Sequence, residues 1–538
     1  MQSIVQRVRG LGSAVNAPVL LCVFVLAIMG SNGGILNASI YSRVAEYCGI
    51  AREISTLTTG VLFLGVFFAA MRKPSLLDRR LLTVVALGCA ITAIFVLEFA
   101  LRLEDGPMTV AGFLFSSTAS AWASLMVIST LSSLASSKAT LIGVVSGMAL
   151  GEVVRVAHPP VSFEAAIVEV VGSYALIAVL LYRRGGAKLD EVARSAPPAS
   201  LEISNPESFL QPAHALFLCA GLFSVATGYG LTLNEVSHAP ISVDISAIVL
   251  VGVALWMLLS NGENKEDLLF SFSVLLVVAG FIIAPFTFLT DLPSANALLR
   301  IGVRCFDMLV WLVVLAVGSR NMLALLPTFA LVRFMSAIGT DVGAVAGHTT
   351  NDIVGTSGDA AMLIAEAVLF VFVAFLWLGF RKFSFTDTIR GVVGVGRDAG
   401  ARARDGVGAG VASQGDASAD GRSRGNDGAA ARTCDGGATR AGVLPSGDDA
   451  GYDDDLPKTT IEERCADIGR LRGLTERETE IFAMLARGRN GQFVMDHYVV
   501  SRNTVKSHVK HIYAKLDVHS QQELIDLVEH AAAATPEP

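Results

Sequence analysis

The sequence predicts an all-α protein: a twelve-span transmembrane helical bundle (six plus six), a disordered linker and a C-terminal four-helix domain. Hydrophobic residues make up 52% of the 538 residues, charged residues make up 17%, and the mean hydropathy is +0.57. Average soluble proteins have about 25% charged residues. The long apolar runs end near residue 380, and helix-capping signals return after residue 460. We therefore predict a membrane domain at 1–382, a linker at 383–459 and a separate domain at 460–538.

Twelve segments have the length and apolar composition of membrane-spanning helices, which need about 20 residues. They form two sets, at about 17–182 and 212–380, on either side of a polar stretch. The first could instead be a signal peptide, since Arg7 and Arg9 precede it. We favour an uncleaved span because no small-residue cleavage site follows. The spans are predicted at about 17–36, 55–71, 81–101, 108–127, 139–157, 161–182, 212–232, 243–260, 268–289, 297–318, 323–345 and 360–380.

Basic residues in the loops predict the orientation of the spans. With both termini in the cytoplasm, the cytoplasmic segments hold about 15 Lys and Arg residues, whereas the outer loops hold 3, namely Arg43, Arg52 and Arg102. Cytoplasmic loops of membrane proteins carry such an excess of positive charge. The sequence therefore predicts a multi-pass protein of the cytoplasmic (inner) membrane with both termini inside.

Charged residues occur within several predicted spans, where they are costly and usually functional. Glu152 and Arg155 are three residues apart, as are Arg304 and Asp307, so each pair shares a helix face. Arg333 is near the middle of its span. We expect these five residues to line a polar cavity, reached from the outer side, that binds a small molecule of unknown identity. Alternatively, they form structural ion pairs, while the other charges of the spans, Arg300, Glu98 and Glu164, extend to the interface.

The six-plus-six layout resembles that of major facilitator transporters. That family has a Gly-x-x-x-Asp-Arg-x-Gly-Arg-Arg type pattern between its second and third spans. Here the loop reads Arg72-Lys73-Pro74-Ser75-Leu76-Leu77-Asp78-Arg79-Arg80 and keeps only the Asp-Arg-Arg end. The resemblance implies a facilitator-like membrane half and makes transport an alternative function.

The segment from Gly391 to Asp455 is dominated by Gly, Ala, Asp, Arg and Ser, and no aromatic residue occurs between Phe385 and Tyr452. Such a composition cannot bury enough apolar surface to offset its ordering entropy. We predict that it is a disordered tether.

The C-terminal segment has the signals of four short helices. Thr475 and Glu478 form a capping box, the first helix stops at Gly488, and a short helix follows at about 492–497. Ser501 caps a third helix, and a fourth is predicted at about 521–531. The third helix has apolar residues at a spacing of four, three and four: Val505, Val509, Ile512 and Leu516.

The other face of the third helix is basic and polar, and no acidic residue occurs from Ser501 to Leu516. A helix of this kind suits the major groove of DNA. On periodicity alone, a solvated charged face is an equally good interpretation. The polar residues are Arg502, Asn503, Lys506, Ser507, Lys510 and Lys515.

Three motifs resemble the DNA-binding domain of LuxR-type transcription regulators: Leu474-Thr475-Glu476-Arg477-Glu478-Thr479-Glu480-Ile481, Leu485-Ala486-Arg487-Gly488 and the whole of Ser501 to Val518. The resemblance implies a helix-turn-helix whose third helix enters the major groove. It implies base reading by Lys506, Ser507 and Lys510, and phosphate or groove-edge contacts by Arg502, Asn503 and Thr504. It further implies a homodimer on half-sites about 34 Å apart, with Leu524, Ile525 and Val528 as candidate dimer contacts.

The family's usual Ser-Asn-Lys-Glu-Ile-Ala is replaced here by Asn490-Gly491-Gln492-Phe493-Val494-Met495, which puts the phosphate contacts of that helix in doubt. The chain as a whole resembles multi-pass LuxR-type regulators with a facilitator-like sensing half. We therefore predict a one-component regulator that senses a small molecule and binds double-stranded promoter DNA.

The main alternative is a facilitator-type transporter with an autoregulatory DNA-binding tail. A membrane structural protein whose tail binds only protein partners fits the third helix poorly. An enzyme is least expected, because we find no nucleophile–base pair or phosphate loop. The seven cysteines are scattered singly, without His at ligand spacing, so neither a metal site nor a cofactor is expected.

Overall fold

The computed structural model describes residues 10–195, 214–236, 245–260, 264–283, 294–354, 358–379 and 461–533, with a few single positions between them. These residues form helices and connecting turns, with no β-strand among them, which confirms the predicted fold class. The membrane helices are α1 Ala17–Leu36, α2 Ala51–Arg72, α3 Arg79–Leu103, α4 Gly106–Leu131, α5 Ser137–Ala157, α6 Phe163–Leu181, α7 Ala215–Val236, α8 Ser246–Leu259, α9 Lys265–Ile283, α10 Ser294–Arg320, α11 Met322–Val354 and α12 Gly358–Gly379.

Ten of these helices are long and apolar enough to cross a bilayer, whereas α8 and the part of α12 with described side chains, Glu366–Trp377, are shorter. The helix α1 continues through a π-helical turn, Asn37–Tyr41, to Val44. The helix α2 begins at Ala51, four residues before the predicted span, because Arg52 and Glu53 are part of the helix. Both side chains are largely buried against the rest of the bundle.

Large apolar side chains cover the outside of the bundle. Val84, Phe95, Ile248, Phe370 and Trp377 are each between 64% and 73% exposed. Soluble monomers rarely expose apolar surface on this scale, whereas a bilayer solvates it. With ten apolar helices of spanning length, the chain is a multi-pass membrane protein.

The two sets of six helices repeat one packing pattern. The contacts of α1 with α5, α3 with α4, and α3 with α6 recur between α7 and α11, α9 and α10, and α9 and α12. Across the two sets, α2 packs on α11 and α8 packs on α5. A shift of six helices relates each contact to its equivalent, so the bundle consists of two similar halves.

A short helix, Arg184–Arg194, lies between the two halves and is called the connecting helix here. It buries Leu189 and Val192 against the first half. Arg79 pairs with its Asp190 at 3.1 Å, and Asp78 caps α3 by accepting a hydrogen bond from the Arg80 amide at 2.7 Å. The Asp-Arg-Arg sequence between α2 and α3 therefore has structural contacts at this surface.

Residues just after the predicted boundary at residue 382 pack against the membrane helices. Phe385 is fully buried, with its ring centroid 5.1 Å from that of Phe270 and 6.0 Å from that of Phe306. Asp267 accepts hydrogen bonds from the Ser384 hydroxyl at 3.0 Å and the Phe385 amide at 2.7 Å. The start of the predicted linker is thus anchored to α9. Residues 389–460 lie outside the described residues, so their disorder stays a prediction.

The C-terminal domain contains the four predicted helices, preceded by a further helix, α13 Ile461–Leu471. The four are α14 Glu476–Ala486, α15 Gly491–Tyr498, α16 Arg502–Leu516 and α17 Gln521–Ala533. The capping box of Thr475 and Glu478 is confirmed. The domain has its own hydrophobic core, as an independently folding unit requires. Its most buried residues are Cys465, Ile481, Phe482, Leu485, Val494, Val505, Val509, Ile512 and Leu524.

Candidate functional site: nucleic-acid interface and membrane cavity

The helix α16 buries one face and exposes the other. Ser501 caps its N-terminus by accepting a hydrogen bond from the Thr504 amide at 3.2 Å. Val505, Val509 and Ile512 are 0% exposed, because the apolar spacing places them all against α14 and α15. The regularly spaced apolar residues of this helix are therefore core residues.

The residues expected to read DNA occupy the opposite face of α16. Asn503, Thr504, Ser507 and Lys510 are exposed and Lys506 is half-buried; the side chain of Arg502 lies outside the described ones. Successive polar positions 503, 507 and 510 follow the helical repeat. The helix therefore presents a continuous polar and basic surface beginning at its N-terminus, the end that enters the major groove in helix-turn-helix proteins.

Lys515 has a different role from the other basic residues of α16. Its ammonium group donates to Glu478 at 2.7 Å and to the Gly473 carbonyl at 3.0 Å. Glu478 also accepts a hydrogen bond from the Thr475 amide at 2.8 Å. This cluster joins the end of α16 to the start of α14. Lys515 therefore orients the DNA-facing helix.

Glu478 should make the stability of the domain pH-dependent. Burial alone raises the pKa of its carboxyl, but hydrogen bonds from Lys515 and Thr475 outweigh burial and lower this pKa. A carboxyl with a lowered folded pKa stabilises the fold above its unfolded pKa of about 4.3, and this contribution is lost as pH falls through the lowered value. We expect Glu478→Gln to cost about 1–2 kcal/mol at pH 7 and less at pH 3. Urea unfolding of residues 461–538 at both pH values measures this.

Glu476→Gln is the matched control, because Glu476 is exposed in the same helical turn. It should leave the pH dependence close to that of the wild type. An unchanged pH dependence in Glu478→Gln would contradict the role given to this carboxylate.

Sequence reasoning missed a set of aromatic and basic side chains around α15. Phe493 stacks on His497 with ring centroids 5.9 Å apart. The guanidinium carbons of Arg489 and Arg477 lie 4.7 Å and 3.4 Å from the ring centroids of Phe493 and Tyr498. Arg487 and Arg489 are exposed beside the N-terminus of α15. The Arg487-Gly488-Arg489 sequence was the available signal for two of these basic side chains, of which Arg487 pairs with Glu462.

Val499 ends α15 in a strained conformation. Its φ is 51°, in the left-handed region, and its side chain is 91% exposed. This conformation costs most L-residues about 1–2 kcal/mol, and a β-branched residue is rarely found in it. We expect Val499→Asn to stabilise the domain by about 1 kcal/mol and to raise its melting temperature by about 4–8 °C.

Thermal unfolding of residues 461–538 tests this. Val500→Asn is the control, because Val500 is half-buried in the domain and the same substitution should lower the melting temperature there. A lower melting temperature in Val499→Asn would contradict the strain argument.

Two of the three candidate dimer residues on α17 also belong to the core of the domain. Leu524 is 0% and Val528 4% exposed, and both pack in the domain core. Their burial within one copy leaves them almost no surface for a second copy. Ile525 is half-buried, so it is the one of the three whose side chain is accessible to a second copy.

In the membrane domain, Glu152 joins several helices. It is 1% exposed, and its Oε1 accepts hydrogen bonds from Arg155 Nε at 2.8 Å, Arg155 Nη2 at 2.6 Å and the Ser246 hydroxyl at 2.8 Å. Arg304 Nε is 3.9 Å from Glu152 Oε2, and Arg304 also donates to the Gly30 carbonyl at 3.3 Å. This cluster joins α5 and α1 of the first half to α8 and α10 of the second.

Asp307 and Arg333 line a small cavity deeper in the bundle. Asp307 Oδ2 is 3.7 Å from Arg304 Nη1. The Asp307 side chain is 37% exposed although it lies in mid-helix, so it faces internal space. The structure thus brings the five predicted residues into two adjoining groups, Glu152–Arg155–Arg304 and Arg304–Asp307–Arg333.

A second polar cluster between the halves was not predicted. Glu53 pairs with Arg52 at 3.2 Å on α2 and with His348 of α11 at 3.2 Å. Asp341 of α11 has a buried carboxylate oxygen without a hydrogen-bond partner. In the two-half repeat, α2 corresponds to α8 and α11 corresponds to α5, so the contact between α2 and α11 corresponds to the contact between α8 and α5. The Glu53 cluster therefore lies at the position equivalent to the Glu152 cluster.

Comparison with known proteins identifies the C-terminal domain. Residues 472–528 match the family of bacterial regulatory proteins, luxR family. This part of the chain is therefore a LuxR-type helix-turn-helix domain, joined here to a multi-pass membrane domain.

The curated relatives match the same region. They include the transcriptional activator protein ExaE of Pseudomonas putida, 39% identical over 62 residues, which are 12% of this chain and 29% of ExaE. A putative HTH-type regulator of Aeromonas salmonicida is 34% identical over 70 residues, which are 13% of this chain and 35% of that protein. The chain thus spans about a third of the length of these relatives.

Among solved structures, the chain is similar to a variant of the E. coli fucose:proton symporter FucP and to the human organic anion transporter MFSD10. Each comparison has a TM-score of 0.39 and 14% sequence identity and covers 68% of this chain. It covers 99% of the symporter chain and 100% of the transporter chain.

Proposed function

We propose that the protein is a membrane-anchored one-component transcription regulator. Its C-terminal domain binds double-stranded promoter DNA, and its membrane half senses a small molecule. The observation that carries this proposal is the exposed face of α16, where Asn503, Ser507 and Lys510 stand free of the core within a LuxR-type domain. The transmembrane half keeps this domain at the bilayer.

The roles of individual residues follow from exposure and position. Lys506, Ser507 and Lys510 read base edges, while Arg502, Asn503 and Thr504 contact phosphates or the groove edge. A second copy binds through the α17 surface around Ile525, so that two domains occupy half-sites about 34 Å apart. The excess of basic residues in the inner loops supports placement in the cytoplasmic membrane with both termini inside.

The membrane half binds its ligand at Glu152, Arg155, Arg304, Asp307 and Arg333. This ligand site is supported by the location of the charged residues, which lie where the two similar halves meet rather than on the lipid-facing surface. A ligand that favours one arrangement of the halves over another shifts the population between them. The start of the linker at Phe385 contacts Phe306, which also lines the cavity. A change in the cavity therefore has a physical route to the segment that leads to the DNA-binding domain.

Binding of residues 461–538 to DNA from the region upstream of the chain's own gene tests the DNA-binding part. Fluorescence anisotropy over a salt series compares the wild type with Ser507→Ala and Lys510→Ala. We expect Lys510→Ala to weaken specific binding by about 1–3 kcal/mol and to relax sequence preference.

Arg470→Ala is a charge-matched control, because Arg470 is exposed on α13, which packs on α14 and α17. It should change the affinity little. Equal losses in Arg470→Ala and Lys510→Ala, or no binding at low salt, would contradict the proposed interface.

A further inference from the structure

The charges of the two adjoining groups, Glu152–Arg155–Arg304 and Arg304–Asp307–Arg333, do not balance. Arg155, Arg304 and Arg333 provide three guanidinium groups, whereas Glu152 and Asp307 provide two carboxylates. Glu152 is held by Arg155, and Asp307 lies 3.7 Å from Arg304. Among the described residues, Arg333 makes no ion pair within 4 Å. One positive charge is therefore left over in the middle of the membrane domain.

One donor atom of Arg333 also lacks a hydrogen-bond acceptor. Its Nε is buried without a partner, and its guanidinium carbon is 5.9 Å from the ring centroid of Phe63. A buried donor without an acceptor costs about 1–3 kcal/mol, and more when it is charged. Charged side chains retained within a membrane span mark ligand or ion sites by default. An anion placed at this guanidinium would supply both the missing charge and the missing acceptor.

The walls of the cavity are apolar and aromatic apart from three polar residues. Trp311 and Phe329 form an edge-to-face pair with ring centroids 5.3 Å apart, and the Ser336 hydroxyl lies one helical turn from Arg333. The remaining lining is Phe306, Val310, Val314 and Val332. Such walls favour a ligand whose body is flat and apolar.

We propose that the cavity binds a small organic carboxylate with an aromatic body. The carboxylate pairs with Arg333 and accepts a hydrogen bond from Ser336, and the ring packs against Trp311 and Phe329. A cationic ligand is disfavoured because Arg304 already neutralises Asp307. A dianionic phosphate ester is disfavoured because only one guanidinium is left over and the walls are apolar. This inference rests on the proposed sensing function and names its ligand class.

The size of the cavity explains how such a ligand acts as a signal. Its volume is about 10 Å³, about enough for one water molecule. A ring enters only if the two halves move apart, so the ligand binds an open arrangement better than this one. That difference in affinity is what a ligand needs in order to shift a conformational equilibrium.

Ligand binding to the full chain in lipid nanodiscs tests the proposal. The probes are benzoate, cinnamate and indole-3-acetate, each paired with its neutral amide, and the readouts are Trp fluorescence and the thermal unfolding midpoint. We expect at least one carboxylate to bind saturably and to raise the midpoint, with its amide at least tenfold weaker. Arg333→Gln should weaken carboxylate binding by at least tenfold, whereas Arg320→Gln, at the end of α10, should not.

Trp311→Leu provides a second variant, which should weaken binding of the carboxylate without removing the preference for acid over amide. Amides that bind as well as the acids, or an Arg333→Gln variant that binds like the wild type, would overturn the proposal. So would the absence of binding by all three carboxylates. The ligand-binding assays contain no DNA, and the DNA-binding assay by anisotropy contains no ligand. A wrong ligand class is therefore distinguishable from a failure of the C-terminal domain to bind DNA.

Discussion

Replacing Gly343 by alanine should separate α7 from α11 and strongly destabilise the membrane domain. A β-carbon at Gly343 would collide with the Val225 carbonyl oxygen, and one at Gly339 would collide with the Gly221 carbonyl oxygen. Backbone atoms cannot move aside as a side chain can, so the helices must shift. We expect a loss of about 3 kcal/mol, the upper end of the usual range for overpacking, measured as thermal unfolding in detergent.

Gly65→Ala is the matched control, because nothing lies within 4 Å of a β-carbon there and Gly65 is exposed on α2. It should unfold at the wild-type temperature or slightly above. The equivalent contact in the first half is also close, since a β-carbon at Gly151 would lie 3.0 Å from the Ala27 carbonyl oxygen. Equal stabilities of Gly343→Ala and Gly65→Ala would contradict the close helix contacts on which the repeated halves depend.

Phe385→Ala should also have a large effect, by releasing the start of the linker from the membrane domain. The phenylalanine side chain is 0% exposed and packs on Phe270 and Phe306. Removing a buried phenylalanine side chain typically costs about 3–5 kcal/mol. We expect a loss in this range for the full chain and faster proteolysis just after residue 388, followed by gel electrophoresis.

Phe375→Ala controls for the loss of a ring, because Phe375 is 56% exposed on the lipid-facing side of α12. It should change neither the stability nor the cleavage rate appreciably. If Phe385→Ala behaves like Phe375→Ala, Phe385 does not anchor this segment.

The membrane helices were predictable because the bilayer sets their length and composition. Each of the twelve predicted spans overlaps one of the helices α1–α12, ten of which are long and apolar enough to cross a bilayer. The second helix is longer than its apolar run. A hydropathy window excludes the charged residues Arg52 and Glu53, yet both belong to α2. Glu53 is accommodated there because His348, in the other half of the bundle, pairs with it. Likewise, composition alone could not reveal that Phe385, at the start of the predicted linker, packs on Phe270 and Phe306.

The candidate sites were predictable where a contact is local in sequence. Helical spacing alone paired Glu152 with Arg155 and identified the buried side of α16. It could not reveal the contact between Glu53 and His348, which are 295 residues apart. It also could not show that Lys515 binds Glu478, or that α17 buries Leu524, because both depend on which neighbouring helix each face meets.

Capture of DNA by membranes tests the central claim most directly. Vesicles containing the full chain are floated with labelled DNA from the region upstream of its own gene, beside unrelated DNA of equal length. The account predicts that the upstream DNA floats with these vesicles, that Lys510→Ala reduces the bound fraction, and that a chain lacking residues 461–538 binds none. Upstream DNA that stays with the unbound fraction at low salt, or that binds equally well without residues 461–538, would contradict a membrane-anchored regulator.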